Sequence, residues 1–201
     1  MSTQLDERSG VSAVVLAAGM STRMGTLKPL LPVRGKPLLQ NVLENVRCAQ
    51  VDEIIVVLGR SADLIQARIP FDSVKVIINN AYQDGMATSL RAGLLEVSPE
   101  ADAALVVLGD QPFVRPETID RIVSHYREHN PQIVIPVYDG SRGNPVLIDR
   151  SVFPELMRLS GDTGCRAIFE KYPDTILRVA VDDPAVLFDL DTPEDFKKAG
   201  P

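Results

Sequence analysis

The chain has 201 residues, a length that fits a single domain, and its 21 Lys and Arg against 27 Asp and Glu leave a formal net charge of −6. This acidic balance argues against a nucleic-acid-binding protein, which would normally carry a basic patch or stripe. Hydrophobic residues make up 45% of the sequence, aromatic residues only 5%, and Trp is absent. Intrinsic disorder of the body of the chain and aromatic base-stacking platforms are therefore excluded.

The sequence contains no apolar run of the ~20 residues that a membrane-spanning helix needs, so no membrane association is expected. Residues 1–10 are polar and carry acids, which is unlike a signal or transit peptide, and we expect them to form a tail. Cys48 and Cys165 are far apart and lack metal-ligand spacing, which indicates two buried, reduced thiols. We therefore expect a soluble, cytoplasmic protein.

Aliphatic runs alternate with amphipathic segments over the first two thirds of the chain. Nearly continuous aliphatic sequence predicts strands buried on both faces at 11–17, 53–59, 74–78, 103–108 and 132–137. Helical periodicity predicts helices at 37–49, 61–69, 87–97 and 116–129. Ser61 is a candidate cap and Pro116 suits a first helical position. The alternation predicts an α/β fold with a mostly parallel sheet and helices on both faces.

The last third of the sequence departs from this rhythm. It predicts a turn at 138–144, a short strand at 145–148, helical stretches at 152–159 and 163–172, a strand at 175–181, an extended segment at 186–190 and a helix from Pro193. No linker composition or internal repeat is present. We expect one domain over 11–201 whose C-terminal third covers one side of the sheet.

The loop after the first strand has the composition of a phosphate-binding loop. Small residues at 17–19 let backbone N–H groups approach an anion, and Ser21, Thr22, Arg23 and Lys28 add donors and positive charge. The segment matches neither the G-x-x-x-x-G-K-[ST] nor the G-x-G-x-x-G pattern. An ordinary strand-to-helix connection with solvated charges is the alternative at this point.

Acidic residues follow two of the expected strands. Asp110 directly follows an apolar strand, where its carboxylate could hold Mg²⁺ against phosphates, or could cap the next turn. Asp189 and Asp191 would project from one face of an extended segment, although Asp191 or Thr192 before Pro193 also reads as a helix start. His125 and His129, on one face of a charged helix, are interpreted as solvated, and we expect no histidine-based catalysis.

Ordered motifs cover nearly the whole chain and together carry a resemblance. They are L-A-A-G-x-S-x-R-M-G-x-x-K-x-L from Leu16, G-x-P-L-L from Gly35, N-x-x-x-x-G-M-x-x-S-L from Asn80, G-D-Q-P from Gly109, R-G-N-P-V from Arg142, G-D-x-G from Gly161 and D-L-D-T-P-E-D from Asp189. The sequence resembles the molybdenum-cofactor nucleotidyltransferases, the MobA-like NTP transferases, and within them the cytidylyl branch. The first motif alone is shared with sugar and alditol nucleotidyltransferases.

The resemblance implies a Rossmann-like nucleotidyltransferase fold and Mg²⁺-dependent transfer of CMP from CTP to the phosphate of a molybdopterin-type acceptor, with release of diphosphate. Carried over by position, the implied catalytic residues are Arg23, Lys28 and Asp110, and the metal ligands are Asp110 and Asp191. The nucleotide-binding residues would be Leu16, Ala17, Ala18, Gly19, Arg23, Lys28, Asn80, Ser89 and Asp110. The acceptor-binding residues would be Arg142, Gly143, Asn144 and Arg166. A recipient molybdoenzyme is a further implied partner.

Several positions keep structural alternatives. Ser89 could be a buried helix residue that bonds back to the previous turn, Gly85 a turn glycine and Arg142 a plain turn arginine. Asn79 is a less certain neighbour of the nucleotide than Asn80. At the level of function, guanylyl transfer to molybdopterin, transfer to another phosphorylated acceptor such as a sugar or polyol phosphate, and a non-catalytic cofactor chaperone remain open.

Overall fold

The computed structural model describes residues 9–19 and 27–199, so residues 1–8 of the expected tail 1–10 and the loop residues 20–26 lie outside the described residues. Gly10, the last residue of that expected tail, is the first residue of a strand. The strands are β1 Gly10–Ala17, β2 Pro32–Val33, β3 Lys36–Pro37, β4 Glu53–Leu58, β5 Lys75–Ile78, β6 Ala101–Leu108, β7 Ile133–Tyr138, β8 Ser141–Arg142, β9 Val146–Asp149 and β10 Ile176–Ala180. The α-helices are α1 Leu38–Arg47, α2 Ala62–Gln66, α3 Met86–Leu94, α4 Pro116–His129, α5 Phe153–Leu156 and α6 Pro193–Ala199. Short 3₁₀ helices occupy Lys28–Leu30, Tyr82–Asp84, Arg150–Val152, Cys165–Lys171 and Pro184–Leu187.

One large sheet organises the fold, in the order β10-β7-β9-β6-β1-β4-β5, with β8 paired to β7. Strands β6, β1, β4 and β5 are mutually parallel, as are β7 and β10, whereas β9 runs antiparallel to both of its neighbours. The chain winds from β1 to β4 and β5 on one side, and then crosses to β6 on the other side of β1. The carboxyl ends of β1 and β6 therefore flank the point where the winding reverses, which is where open α/β sheets bind ligands.

Side chains of the sheet alternate between two hydrophobic cores. Ala13 and Val15 of β1 pack in the core that contains the buried residues of α1 and α4. Val14 faces the opposite core, which contains Leu90 and Leu94 of α3 and the buried residues of α5. The central strands are thus buried on both faces, in agreement with their continuous aliphatic sequence.

The structure confirms the mostly parallel sheet covered on both faces and differs from the expectations mainly in the last third. That third does not simply cover one side of the sheet, because β9 is inserted between β6 and β7, and β10 forms an edge strand. The helical stretch expected at 163–172 is 3₁₀ rather than α, and part of the expected extended segment at 186–190 lies in a 3₁₀ turn. Pro116 is the first residue of α4, as expected. Ser61 precedes α2 in a left-handed conformation, and its side chain makes no capping hydrogen bond.

Across residues 9–19 and 27–199, every helix is too short or too polar to traverse a lipid bilayer.

The close approach of α3 to the sheet leads to a testable prediction at Gly93. A Cβ added there would lie 2.3 Å from Cγ1 of Val14 and 3.1 Å from Cγ2 of Val57. Alanine gains about 1 kcal/mol over glycine inside a helix, but overpacking costs about 1–3 kcal/mol, and the rigid β-branched neighbours decide the sign. We expect Gly93→Ala to lower the free energy of unfolding by about 1–2 kcal/mol in urea titrations.

Val14→Ala removes the atom that the new methyl group would meet. The double variant Gly93→Ala/Val14→Ala is therefore expected to be more stable than the sum of the two single losses. Strictly additive losses would contradict this account of the contact.

Candidate functional site

A cavity of about 700 Å³ lies at the carboxyl ends of β1 and β6. It is lined by Leu16, Ala17, Ala18, Gly19, Lys28, Pro29, Tyr82, Gln83, Asp84, Gly85, Met86, Ser89, Leu108, Gly109, Asp110, Asp162, Asp189 and Asp191. Among these described lining residues five are aspartates and one is a lysine, so the cavity favours cations over bare anions.

The base of the cavity is built by close contact between the ends of β1 and β6. The Gly109 N–H donates to the carbonyl of Leu16 over 2.9 Å. A Cβ at Gly109 would lie 2.8 Å from that carbonyl oxygen and 2.9 Å from Cβ of Ala17. Glycine is therefore required at 109 for the ends of β1 and β6 to lie in contact. This contact places Asp110, the next residue, in the cavity.

At this base the Lys28 ammonium group bridges two carboxylates. Its Nζ lies 2.7 Å from Oδ2 of Asp110 and 2.6 Å from Oδ1 of Asp191, and donates a hydrogen bond to each. The Lys28 side chain is 15% exposed, compared with 30% for Asp110 and 47% for Asp191. Three segments far apart in sequence are joined by one buried cation.

Burial and neighbouring charges shift the pKa values of two members of this cluster. Burial alone would lower the pKa of Lys28, but the attraction and hydrogen bonds of Asp110 and Asp191 outweigh it and raise that pKa above its ordinary value. Removal of the Asp189 carboxyl from bulk water, followed by repulsion from Asp110, raises the pKa of Asp189. Lys28 therefore stays charged at neutral pH.

The structure separates the two roles considered for Asp191. Helix α6 begins after a capping box, in which Oδ2 of Asp195 accepts from the N–H and hydroxyl groups of Thr192, and the Asp195 N–H faces the Thr192 hydroxyl at 3.3 Å. Thr192 is therefore the cap. The carboxylate of Asp191 points to Lys28 instead, and only its backbone N–H bonds to Asp195.

A second part of the cavity wall is formed by residues 82–86, Ser89 and Asp162. Gly85 adopts a φ of +102°, and a Cβ there would lie 2.2 Å from the carbonyl carbon of Gly161. The Gly161 carbonyl accepts from the N–H of Ala87 in the first turn of α3. The Gly85 and Gly161 motifs are thus in direct contact, and Gly85 is more than a turn glycine because it admits this neighbouring backbone.

The two adjacent asparagines have different positions. Asn79 is buried, and its amide nitrogen donates to the hydroxyls of Thr88 at 2.8 Å and Ser89 at 3.0 Å. Asn80, the residue expected near the nucleotide, is exposed and does not line the cavity. Ser89 does line the cavity, and Asn79 fixes the position of its hydroxyl.

The residues expected to bind the acceptor are not among those that line the cavity. Arg142 and Arg166 are exposed, and the Arg142 guanidinium lies 5.8 Å from the centre of the Phe169 ring. The backbone of Asn144 donates to the carbonyl of Val186, and a Cβ at Gly143 would lie 2.6 Å from Val186. Gly143 and Asn144 thus contact Val186, in the segment 186–191 that carries Asp189 and Asp191, and they do not line the cavity.

Arg23, expected to act with Lys28, lies outside the described residues. Of the other expected nucleotide residues, 16–19, Lys28, Ser89 and Asp110 converge on the cavity. The sequence reasoning assigned no role to the lining residues Tyr82, Gln83, Asp84 and Met86. The signal that could have found them was their position within the Asn80 motif. Asp162 was expected only as part of the segment 161–166 that would face the acceptor, and it lines the cavity.

Two carboxylates in the cavity are suited to a metal ion. Asp110 and Asp191 already share one cation, the Lys28 ammonium. No group of three or more His, Cys, Asp or Glu side chains in the described part of the chain is arranged to hold a metal ion by itself. Mg²⁺ is commonly held by one or two carboxylates together with water and substrate phosphates, and two carboxylates fit that pattern.

Comparison with known proteins identifies the family. Residues 13–176 match the MobA-like NTP transferase domain. The chain belongs to the MobA-like NTP transferase family. The resemblance to the family, though not to its cytidylyl branch, is thereby confirmed, and membership makes the protein a nucleotidyltransferase that acts on NTPs.

Relatives of this MobA-like transferase match over nearly its full length. Nicotine blue oxidoreductase of Paenarthrobacter nicotinovorans is 30% identical over 191 residues, which cover 92% of this chain and 93% of that protein. The crystal structure of Rv0371c from Mycobacterium tuberculosis H37Rv superposes with a TM-score of 0.85 at 35% identity, covering 95% of this chain and 97% of that one. A complex of Rv0371c with manganese gives a TM-score of 0.83 at 32% identity, with the same shares covered.

A more distant structure agrees in fold alone. Molybdopterin-guanine dinucleotide biosynthesis protein A from Archaeoglobus fulgidus is 22% identical, with a TM-score of 0.70, and the match covers 94% of this chain and 96% of that chain. The expected Rossmann-like nucleotidyltransferase fold is confirmed.

The two cysteines of the transferase differ from the expectation that both are buried, and the difference predicts unequal reactivity. Cys165 is buried, which raises the pKa of its thiol to about 12, whereas Cys48 is exposed at the end of α1. At about pH 8 we expect one thiol per native chain to react rapidly with Ellman's reagent and both to react in urea. A Cys48→Ala variant should lose the rapid reaction, and rapid modification of Cys165 in that native variant would contradict the burial.

Proposed function

We propose that this transferase moves CMP from CTP to the phosphate of a molybdopterin-type acceptor, with Mg²⁺ as its cofactor, and releases diphosphate. The observation that carries the proposal is the Lys28 ammonium between Asp110 and Asp191 in the base of the cavity. The two carboxylates form a site that binds positive charge, and Lys28 follows the loop after β1, which would bind the triphosphate. A cytoplasmic location and delivery of the product to a molybdoenzyme complete the proposal.

The carboxylate pair fits a divalent cation for two reasons. Its hard oxygen donors are those that Mg²⁺ prefers, and they already hold one cation in common. A bound Mg²⁺ would neutralise phosphate charge and stabilise the transition state by several kcal/mol. The manganese complex of Rv0371c supports a divalent cation in this family.

The protein's own contribution is positioning and charge. Lys28 keeps its positive charge in the cavity, where it can hold the triphosphate once NTP and cation have bound, and Arg23 is proposed to assist from the loop. The acceptor phosphate oxygen attacks the α-phosphorus, and the bond to the leaving diphosphate breaks. A phosphate is already a usable nucleophile, so the protein needs no general base for this step.

The nucleotide is proposed to lie between the β1 loop and the wall that carries Ser89. Leu16, Ala17, Ala18 and Gly19 line one side of this space, where backbone groups can meet the edge of the base. Because Ala18 carries a Cβ where the guanylyl branch has a second glycine, it leaves less room for a purine. Asn80 does not line the cavity, so it would contact only a part of the nucleotide that extends out of the cavity. In the same way, Arg142 and Arg166 would contact only an acceptor that extends beyond the cavity.

A second candidate function is an oxidoreductase reaction in the same cavity, which the similarity to nicotine blue oxidoreductase over 92% of this chain favours. The loop after β1 lacks the G-x-G-x-x-G pattern of dinucleotide-binding oxidoreductases. The carboxylate-bound ammonium group is better suited to NTP and metal binding. We therefore favour nucleotidyl transfer.

The function is tested by diphosphate release from each of the four NTPs with and without molybdopterin, in Mg²⁺. A methyl-sized difference in a pocket discriminates by about 1–3 kcal/mol, so we expect kcat/KM for CTP to exceed that for GTP by about tenfold or more. A higher value for GTP would overturn the cytidylyl assignment. Diphosphate release that needs a sugar or polyol phosphate instead of molybdopterin would replace the acceptor.

Asp110→Asn removes one of the two carboxylate charges while keeping the shape of the side chain. Because a metal ion bridging phosphates supplies several kcal/mol, we expect the turnover number to fall at least about 100-fold. Asp120→Asn on α4, whose carboxylate accepts from the N–H of Gln50 away from the cavity, is the matched control and should keep near-normal turnover. Asp110→Asn turnover above about a tenth of that of the control would contradict the role of Asp110.

A further inference from the structure

We propose that Gln111 is a positioning residue for the cation site, because it holds the acidic segment 186–191 against the end of β6 and so keeps Asp191 beside Asp110. The inference rests on the proposed function, since it concerns the cation that would accompany the NTP. It gives a role to the Gln of the Gly109 motif and to the Arg142 motif, whose Gly143 and Asn144 do not reach the cavity.

Gln111 is 3% exposed, and its side chain is directed at the acidic segment. Its Nε2 donates to Oδ1 of Asp189 at 2.7 Å and approaches the carbonyl of Val186 at 3.4 Å. The buried amide of Gln111 thus connects the residue that follows Asp110 to two points of the segment, Val186 and Asp189. Loss of those bonds would leave buried polar groups without partners, which costs about 1–3 kcal/mol each.

Two further contacts act on the same segment. The N–H of Leu190 donates to the carbonyl of Asp110 at 3.0 Å, and the N–H of Asn144 donates to the carbonyl of Val186 at 2.9 Å. Gly143 packs against Val186 too closely to admit a Cβ. Residues 188–191 belong to no strand or helix, so no regular backbone hydrogen bonding of a sheet or helix holds them in place. The contacts described above take over that role.

Electrostatic repulsion explains why the segment needs a clamp. Asp189 and Asp191 carry negative charge toward Asp110, and among the described residues Lys28 is the cation that pairs with both Asp110 and Asp191. Repulsion therefore pushes the segment away from β6, and the Gln111 amide opposes it at Asp189, the carboxylate that makes no ion pair with Lys28. When the ligands of a metal are oriented by an outer hydrogen bond, loss of that bond typically weakens metal binding about 10- to 100-fold.

The test is Mn²⁺ binding to the full chain, measured from the electron paramagnetic resonance signal of free Mn²⁺. Gln111→Met keeps the size of the side chain and removes its hydrogen bonds. The matched control is Tyr126→Phe, which loses a 2.7 Å hydrogen bond to the carboxylate of Asp149, near the opposite end of β6. We expect the Mn²⁺ Kd of Gln111→Met to rise about 10- to 100-fold and that of Tyr126→Phe to stay within about twofold.

A double-mutant cycle tests whether Gln111 acts through Asp189. In an Asp189→Ala background, adding Gln111→Met should change the Mn²⁺ Kd by less than about threefold. Gln111→Asn, which keeps the amide but is one methylene shorter, replaces Gln111→Met if the latter does not fold, with the same expectation.

The outcomes separate this inference from the proposed function. Mn²⁺ binding that is tight in the wild type and unchanged in Gln111→Met overturns the positioning role and leaves the cation site standing. A full effect of Gln111→Met in the Asp189→Ala background also overturns it. Failure of the wild type to bind Mn²⁺, alone or with CTP, overturns the proposed cation site itself.

Discussion

The ion pairs of Lys28 with Asp110 and Asp191 are the interaction on which the rest of the site depends. They connect the 3₁₀ helix that begins at Lys28 with the end of β6 and with the segment before α6. Asp110 and Asp191 are 82 and 163 residues away from Lys28 in the sequence. Isolated surface ion pairs contribute little, but this ammonium group is largely buried and shared by two carboxylates. Removing it would leave like charges facing each other in a cavity lined by further aspartates.

The topology of the sheet makes this arrangement possible. The reversal of winding between β1 and β6 leaves an opening at their carboxyl ends, and the absence of a side chain at Gly109 lets the two ends touch. Asp110 is thereby fixed by the most buried part of the sheet. Asp191 belongs to an irregular segment, so its position depends on the hydrogen bonds that Gln111 and Asn144 donate to this segment and on the one that the Asp110 carbonyl accepts from Leu190. One cation is thus shared by Asp110, which follows a strand of the sheet, and by Asp191, which lies in a segment held by hydrogen bonds.

The sequence was informative wherever local pattern and tertiary structure agree. Continuous aliphatic runs marked the strands, and the small residues at 17–19 and the acid after a buried strand marked the edge of the sheet that forms the cavity. The insertion of β9 between β6 and β7 could not be read from its four residues, because strand order is decided by long-range pairing. Asn79 and Asn80 show the same limit, since only the path of the folded chain after β5 decides that Asn79 is buried and Asn80 is exposed. Likewise, Gly143 and Asn144 matched a family motif, but sequence alone did not show that the motif contacts Val186 rather than a ligand.

The central claim is that the carboxylate pair holding Lys28 is the cation site of a nucleotidyltransferase. The most direct test is a crystal structure of the protein with CTP and Mn²⁺, in which anomalous scattering locates the metal ion. The account predicts Mn²⁺ in direct contact with Asp110 and Asp191, and the Lys28 ammonium moved from between them to the phosphates of CTP, because two cations cannot occupy the same position. Mn²⁺ bound elsewhere, or Lys28 still bridging both carboxylates with CTP in place, would contradict the account.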